Sequence, residues 1–107
     1  MRGEAIKGHL ELLLLAVIAD KPAHGYALIE ELKRKSREAF DLPEGTVYPA
    51  LHRLERSQLI SSRWDASSGR RRRIYAITRR GRKALAAQRE EWRGFSAAVS
   101  AVLRGAS

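Results

Sequence analysis

The chain has 107 residues, 21 lysines and arginines against 12 acidic residues, a formal charge of +9 and no cysteine. That length suits one domain with a modest core, and the missing thiols exclude a disulfide framework and thiolate metal sites while fitting a reducing, cytoplasmic setting. The charge favours an anionic partner, with nucleic acid ahead of a membrane surface.

The first predicted element contains the apolar run Leu10 to Ala19, which follows Arg2 and Lys7 and has the outline of a signal-peptide core. Glu11 interrupts it, no small-residue cleavage pattern follows, and it falls short of the about 20 apolar residues that cross a bilayer. It reads as a buried helix over Glu4 to Asp20, and no membrane segment is expected. Ile6, Leu10, Leu13, Leu14, Val17 and Ile18 form its apolar stripe, widened by Leu12 and Leu15. So broad a stripe in a small protein is expected to be covered partly by a second subunit. Pro22 ends the helix, because proline disfavours helical backbone in the residue before it.

A second helix is predicted from His24 or Gly25 to about Arg37, burying Tyr26, Ile29 and Leu32 with Leu28 to one side. His24 tempts assignment as a ligand or base, but a histidine ahead of a Gly-Tyr helix start is expected to bond backbone. The polar link Asp41 to Gly45 leads into a third helix within Pro43 to Leu59. At about 100° per residue, Val47, Leu51, Leu54 and Gln58 fall on one side, and Thr46, Pro49, Arg53 and Arg56 on the other. Tyr48 lies on the flank and His52 at the margin of the polar face. Pro49 would cost about 3 kcal/mol in a helix interior, but in the opening turns few hydrogen bonds are lost. Three helices with a short link before the last match a helix-turn-helix, whose final helix enters a DNA major groove.

Beyond Leu59 the period drops to two. Ile60, Ser62 and Trp64 alternate with Ser61, Arg63 and Asp65, and Arg73, Tyr75 and Ile77 alternate with Arg72, Ile74 and Ala76. That pattern is a hairpin with its turn at Ala66 to Gly69. Arg70, Arg71, Arg72 and Arg73 set like charges on both faces of the returning strand, an arrangement that phosphates would relieve. Trp64 is expected to pack over the hairpin. Thr78 is a good N-cap, and a long helix follows to about Leu103. Arg79, Arg80, Arg82 and Lys83 crowd its start, where basic charge opposes the helix dipole unless an anion lies close by. Farther on, Leu85, Trp92 and Val99 alternate with Gln88, Phe95 and Val102 in a heptad that needs a cover. A twofold dimer is expected there, with Leu10, Leu13 and Leu14 of the first helix sharing the contact. The fold class is thus mainly α with a small β-hairpin: a winged helix-turn-helix over 1–78 and a dimerisation helix over 79–107.

The ordered segments HGYAL at His24 to Leu28, GTVYPALHRLE at Gly45 to Glu55, Leu59-Ile60, and RIYAITRRG at Arg73 to Gly81 resemble the PadR family of bacterial transcriptional regulators across nearly the whole chain. The resemblance implies a winged-helix fold, a dimer held by the C-terminal helix, and repression relieved by a signal such as a small molecule. The short tail is similar to the smaller subfamily, in some members of which a tryptophan on the last helix lines a cavity between subunits and stacks on flat hydrophobic compounds. Trp92 matches that position, with Phe95 one turn on. Gln58, where the family often has glycine, and Val47, in place of a common leucine, depart from the pattern.

The reading that follows is sequence-specific binding of double-stranded DNA at inverted half-sites. Thr46, Tyr48, Pro49, Arg53 and Arg56 are placed at the major groove, and Arg70, Arg71, Arg72 and Arg73 at the backbone or minor groove. A basic winged-helix module for RNA or a protein is the alternative. Catalysis is disfavoured: His9, His24 and His52 are scattered without carboxylates at metal-ligand spacing, and neither a phosphate loop nor a nucleophile elbow is present, so no cofactor or metal is expected.

Overall fold

The computed structural model describes residues 8–105. The expected start of the first helix, Glu4 to Lys7 with Ile6, lies outside the described residues. Within them the chain forms α1 (Leu10–Asp20), β1 (Ala23–His24), α2 (Gly25–Lys35), α3 (Glu44–Arg56), β2 (Ile60–Asp65), β3 (Arg72–Ile77) and α4 (Arg79–Arg104). It is a mainly helical molecule with a small antiparallel sheet, a winged helix-turn-helix continued by a long helix.

Helix α1 is apolar on nearly every side because it sits at the centre, packed against α2, α3, α4 and β3. Leu10, Leu14, Leu15, Val17 and Ile18 are buried, and Leu12 and Leu13 pack partly against the same core. Each fully buried aliphatic side chain contributes about 1.5–3 kcal/mol. Two of the first-helix leucines expected at a subunit contact, Leu10 and Leu14, are therefore spent inside the chain.

Helix α2 is rotated from its expected setting. Leu28, Ile29 and Leu32 are buried, while Tyr26 is 57% exposed. The cause is Gly25, which faces inward against the Tyr48 ring. A Cβ there would lie 2.5 Å from Tyr48 Cζ and Oη, so only glycine admits the contact. With Gly25 inward, the positions three, four and seven residues later follow it, and Tyr26 turns toward solvent. The helix also stops at Lys35, short of the expected Arg37. Arg37 and Glu38 take φ of 54° and 72°, and the Glu38 N–H reaches back to the Lys33 carbonyl at 2.8 Å.

Helix α3 begins at Glu44 and accommodates Pro49. Val47, Ala50, Leu51 and Leu54 are buried; Ala50 belongs to the anchored face, and Gln58, expected on it, does not. The helix closes in a Schellman motif: the Leu59 N–H bonds the Leu54 carbonyl at 3.0 Å and the Gln58 N–H bonds the Glu55 carbonyl at 2.9 Å. Gln58 takes the left-handed position, φ 62°, and is exposed. A glycine would take that backbone without a Cβ penalty, so glutamine there costs strain while the helix still ends in this motif.

Strands β2 and β3 pair antiparallel with Ile60 opposite Ile77, Ser62 opposite Tyr75 and Trp64 opposite Arg73, which is the alternation read from the sequence. In the turn, the Ser67 N–H bonds Asp65 Oδ1 at 3.2 Å and Gly69 supplies φ 81°. The sheet has a third strand that the sequence did not announce. β1 pairs with β3, Ala23 opposite Tyr75 and His24 opposite Ile74, giving the order β1-β3-β2. Two residues carry too little periodicity to be read as a strand.

A clasp joins the wing to α4. Thr78 Oγ1 donates toward the Gln58 and Leu59 carbonyls, at 2.7 and 3.0 Å, and accepts from the Gly81 N–H at 2.9 Å. Gly81 rides on Leu59, where a Cβ would stand 2.0 Å from the carbonyl oxygen. From this anchor α4 projects, so the molecule measures 56 × 28 × 20 Å.

Candidate nucleic-acid interface

Burial of Val47, Ala50, Leu51 and Leu54 fixes how α3 is rotated, and Pro49, His52, Arg53 and Arg56 are left exposed on its outer side. Thirteen residues make a rod about 20 Å long, against a major groove about 12 Å wide. Thr46 is half-buried near the helix start. Tyr48 is half-buried as well, its ring seated against Gly25, and burial and the nearby Glu44 carboxylate push its hydroxyl pKa up. Its first duty is to hold α3 to α2.

The four wing arginines divide into two pairs. Arg70 and Arg71 are exposed, whereas Arg72 and Arg73 are half-buried and engaged within the protein. Arg73 Nε donates to Ser62 Oγ at 2.7 Å and its Nη2 lies 3.7 Å from Glu55 Oε2. Ser62 Oγ in turn donates to Glu55 Oε2. Glu55 therefore ties α3 to the wing. Sequence reasoning passed over this residue; its place on the flank of α3, inside the HRLE segment, was the available signal. Arg71 and Arg73 also lie over the Trp64 ring, at 4.4 and 5.0 Å from its centroid. Trp64 is 53% exposed and packs on the wing beneath these guanidiniums, an arrangement that shields like charges from one another.

His24 bonds backbone, as expected: its Nδ1 accepts from the Ala27 N–H at 3.2 Å and caps α2. Its Nε2 lies 2.8 Å from Arg72 Nη1. A neutral imidazole has one lone pair, and two N–H donors address this ring, so it serves one of them at a time. Burial, and next the charge of Arg72, hold the His24 pKa below its ordinary value. His24, Tyr26, Tyr48, Trp64 and the wing arginines line a concavity of about 500 Å³ between α2 and the wing.

The dimer candidates also separate. Leu85 joins Leu10 and Leu14 in the chain's own core, which removes all three from an outer contact. Leu13 keeps partial exposure, and the outer part of α4 is open: Trp92 is 43% exposed, Phe95 59%, Val99 38% and Val102 73%. His9 meets Trp92 edge to face at 5.0 Å, and Phe95 lies 6.1 Å beyond. A cavity of about 390 Å³ beside them is lined by His9, Leu12, Gln88, Glu91, Trp92 and Phe95, among others. Among the described residues no group of three or more His, Asp or Glu could hold a metal ion, and no helix is long and apolar enough to cross a membrane.

A groove-length helix with a basic outer side, a braced basic wing and a projecting terminal helix together make a winged helix-turn-helix regulator of transcription. The model of the Transcriptional regulator PadR-like family matches residues 14–87. Transcriptional regulator Rv3488 of Mycobacterium tuberculosis is 39% identical over 98 residues, 92% of this chain and 86% of that protein. Among solved structures, a transcriptional regulator from Clostridium thermocellum superposes with a TM-score of 0.84 at 27% identity, over 91% of this chain and 95% of that one. A PadR-like transcriptional regulator (BC4206) from Bacillus cereus does so at 0.82 and 31%, over 94% and 96%. The chain belongs to the PadR-like family of transcriptional regulators, and its work is regulation rather than catalysis.

Proposed function

We propose that two copies of this chain bind double-stranded DNA at inverted half-sites about one helical turn apart and repress a promoter until a small hydrophobic molecule releases them. The observation that carries the reading is the fixed rotation of α3, which buries Val47, Ala50, Leu51 and Leu54 and turns Pro49, Arg53 and Arg56 outward beside the exposed Arg70 and Arg71. In this reading residues 1–78 form the winged helix-turn-helix DNA-binding region and 79–107 the dimerisation helix. Thr46, Pro49 and Arg53 read base edges, Tyr48 and Arg56 flank them, and Arg70 and Arg71 bind phosphates, with Arg72 and Arg73 supporting from beneath. The open strip of Trp92, Phe95, Val99 and Val102 pairs with its counterpart and covers apolar surface that a lone chain leaves wet. The cavity beside Trp92 and Phe95 is of a size used for small ligands, about 300–1,000 Å³, and would hold the effector.

Selection from a random duplex library, followed by titration of wild type and variants, tests this. Arg53→Ala is expected to weaken the selected site far more than random duplex, and Arg70→Ala with Arg71→Ala to weaken both and flatten the salt dependence. Equal losses on both duplexes for Arg53→Ala would exclude base reading, and stronger competition by structured RNA than by duplex DNA would move the assignment to RNA. Trp92 fluorescence, followed in a Trp64→Phe background with planar aromatic compounds, tests the cavity.

A further inference from the structure

The four cations that open α4 are used neither by the fold nor by the interface described so far. Arg79, Arg80, Arg82 and Lys83 are all exposed, while Gly81 and Leu85 are buried, so the buried side of this turn is fixed and the cations lie outside it. Arg79 and Lys83, four residues apart, point most directly away. They form a like-charge i,i+4 pair, and all four oppose the positive end of the helix dipole. Local relief is missing, because the first acidic residue along the helix is Glu90. Among the described residues none of the four is in an ion pair.

The position of this cluster is set by backbone. Thr78 Oγ1 is bonded to the Gln58 and Leu59 carbonyls, and Gly81 sits against Leu59, so the first turn of α4 lies just beyond the C-terminal end of α3. A rod about 20 Å long is longer than the groove is wide, about 12 Å, so a helix that enters it N-terminus first has its C-terminal end toward the rim, where the phosphates are.

We infer that Arg79, Arg80, Arg82 and Lys83 form a second phosphate-binding surface, separate from the wing, which grips the DNA backbone at the groove rim beyond the α3 C-terminus. This rests on the DNA-binding reading above. The surface adds affinity without sequence choice and lengthens the footprint of each half-site. The anion also supplies the compensation that the helix start otherwise lacks.

The test is the double variant Arg79→Gln/Lys83→Gln in the full chain, titrated against the selected duplex at several salt concentrations. Each lost phosphate contact lowers the slope of log K against log salt by about 0.9, so a drop of about 2 per protomer is expected. The melting temperature of the free protein is expected to hold or rise, because charge that opposes the dipole is removed. Weaker binding with an unchanged or higher melting temperature separates lost contact from misfolding. A second arm compares wild type on the selected duplex with a version trimmed at its flanks, where the advantage over the variant should disappear. Wild type that binds with a slope identical to the variant's overturns the inference and leaves the DNA reading standing. Wild type that binds no duplex at all overturns the DNA reading itself.

Discussion

Helices α3 and α4 each carry an apolar face, yet only α3 has that face covered within the chain. Val47, Ala50, Leu51 and Leu54 are sealed beneath α1, α2 and the sheet, and what remains outside is polar and basic. Helix α4 is buried at Gly81 and Leu85, touches His9 through Trp92, and leaves Trp92, Phe95, Val99, Val102 and Leu103 largely open. The same periodicity therefore has two meanings. In α3 it completes a fold, and in α4 it asks for a second surface.

The sharpest way to break this contrast is to truncate one apolar residue on each helix. Leu51→Ala should cost about 3 kcal/mol in a thermal or urea melt, because a fully buried leucine leaves a cavity. Val102→Ala should change the stability of the single chain by less than about 0.5 kcal/mol while loosening self-association measured by sedimentation. A comparable melt for the two variants would erase the distinction. At the joint between the helices, Gly81→Ala should cost about 2–3 kcal/mol, because its Cβ would meet the Leu59 carbonyl oxygen. Refolded, concentration-independent stability equal to wild type would mean that the clasp is looser than its geometry.

A smaller effect should appear with pH. The folded His24 has its pKa below the ordinary value of about 6.5. Protonation is thus disfavoured in the fold, so its stabilisation is present in full above that value and is lost as pH falls from there through the folded pKa. A melting series over this range should show the loss in wild type and a flatter course in His24→Asn, whose side chain caps α2 without titrating. Parallel curves would remove His24 as the cause. The smallest expected change is a gain: Gln58→Gly relieves a left-handed residue at the end of α3 and should raise stability by about 0.5–1 kcal/mol. A loss would mean that the glutamine side chain holds the turn by contacts of its own.

Much of the exposed surface of the candidate interface is legible in the primary structure for a definite reason. A solvent-facing helix declares its exposed side through spacing alone, so rotation at 100° per residue gives the exposure of Pro49, Arg53 and Arg56, though not the half-burial of Thr46, and period two gives the hairpin register. Errors arose where neighbours from distant parts of the chain decide. Tyr26 and Leu28 are both large side chains suited to a core, but the close approach of Gly25 to Tyr48 turns one outward and the other inward. The four wing arginines look alike in order, but Ser62, Glu55 and His24 engage Arg72 and Arg73, while Arg70 and Arg71 stay exposed, Arg71 over the Trp64 ring.

What the amino-acid order settled without help was local: the existence of the helices α2 and α3, the hairpin with its turn and register, the backbone bond of His24, the Thr78 cap of α4, and the excess of cations. Hydrogen-bond geometry and side-chain spacing act over a few residues, so they are written where they operate. Only the assembled chain decided which leucines of α1 and α4 are enclosed, that Ala23 and His24 add a third strand, and that Thr78 and Gly81 set a cluster of positive charge at the end of α3. Those outcomes depend on contacts between residues tens of positions apart, and close packing admits them through volume and approach distance, which no local pattern encodes.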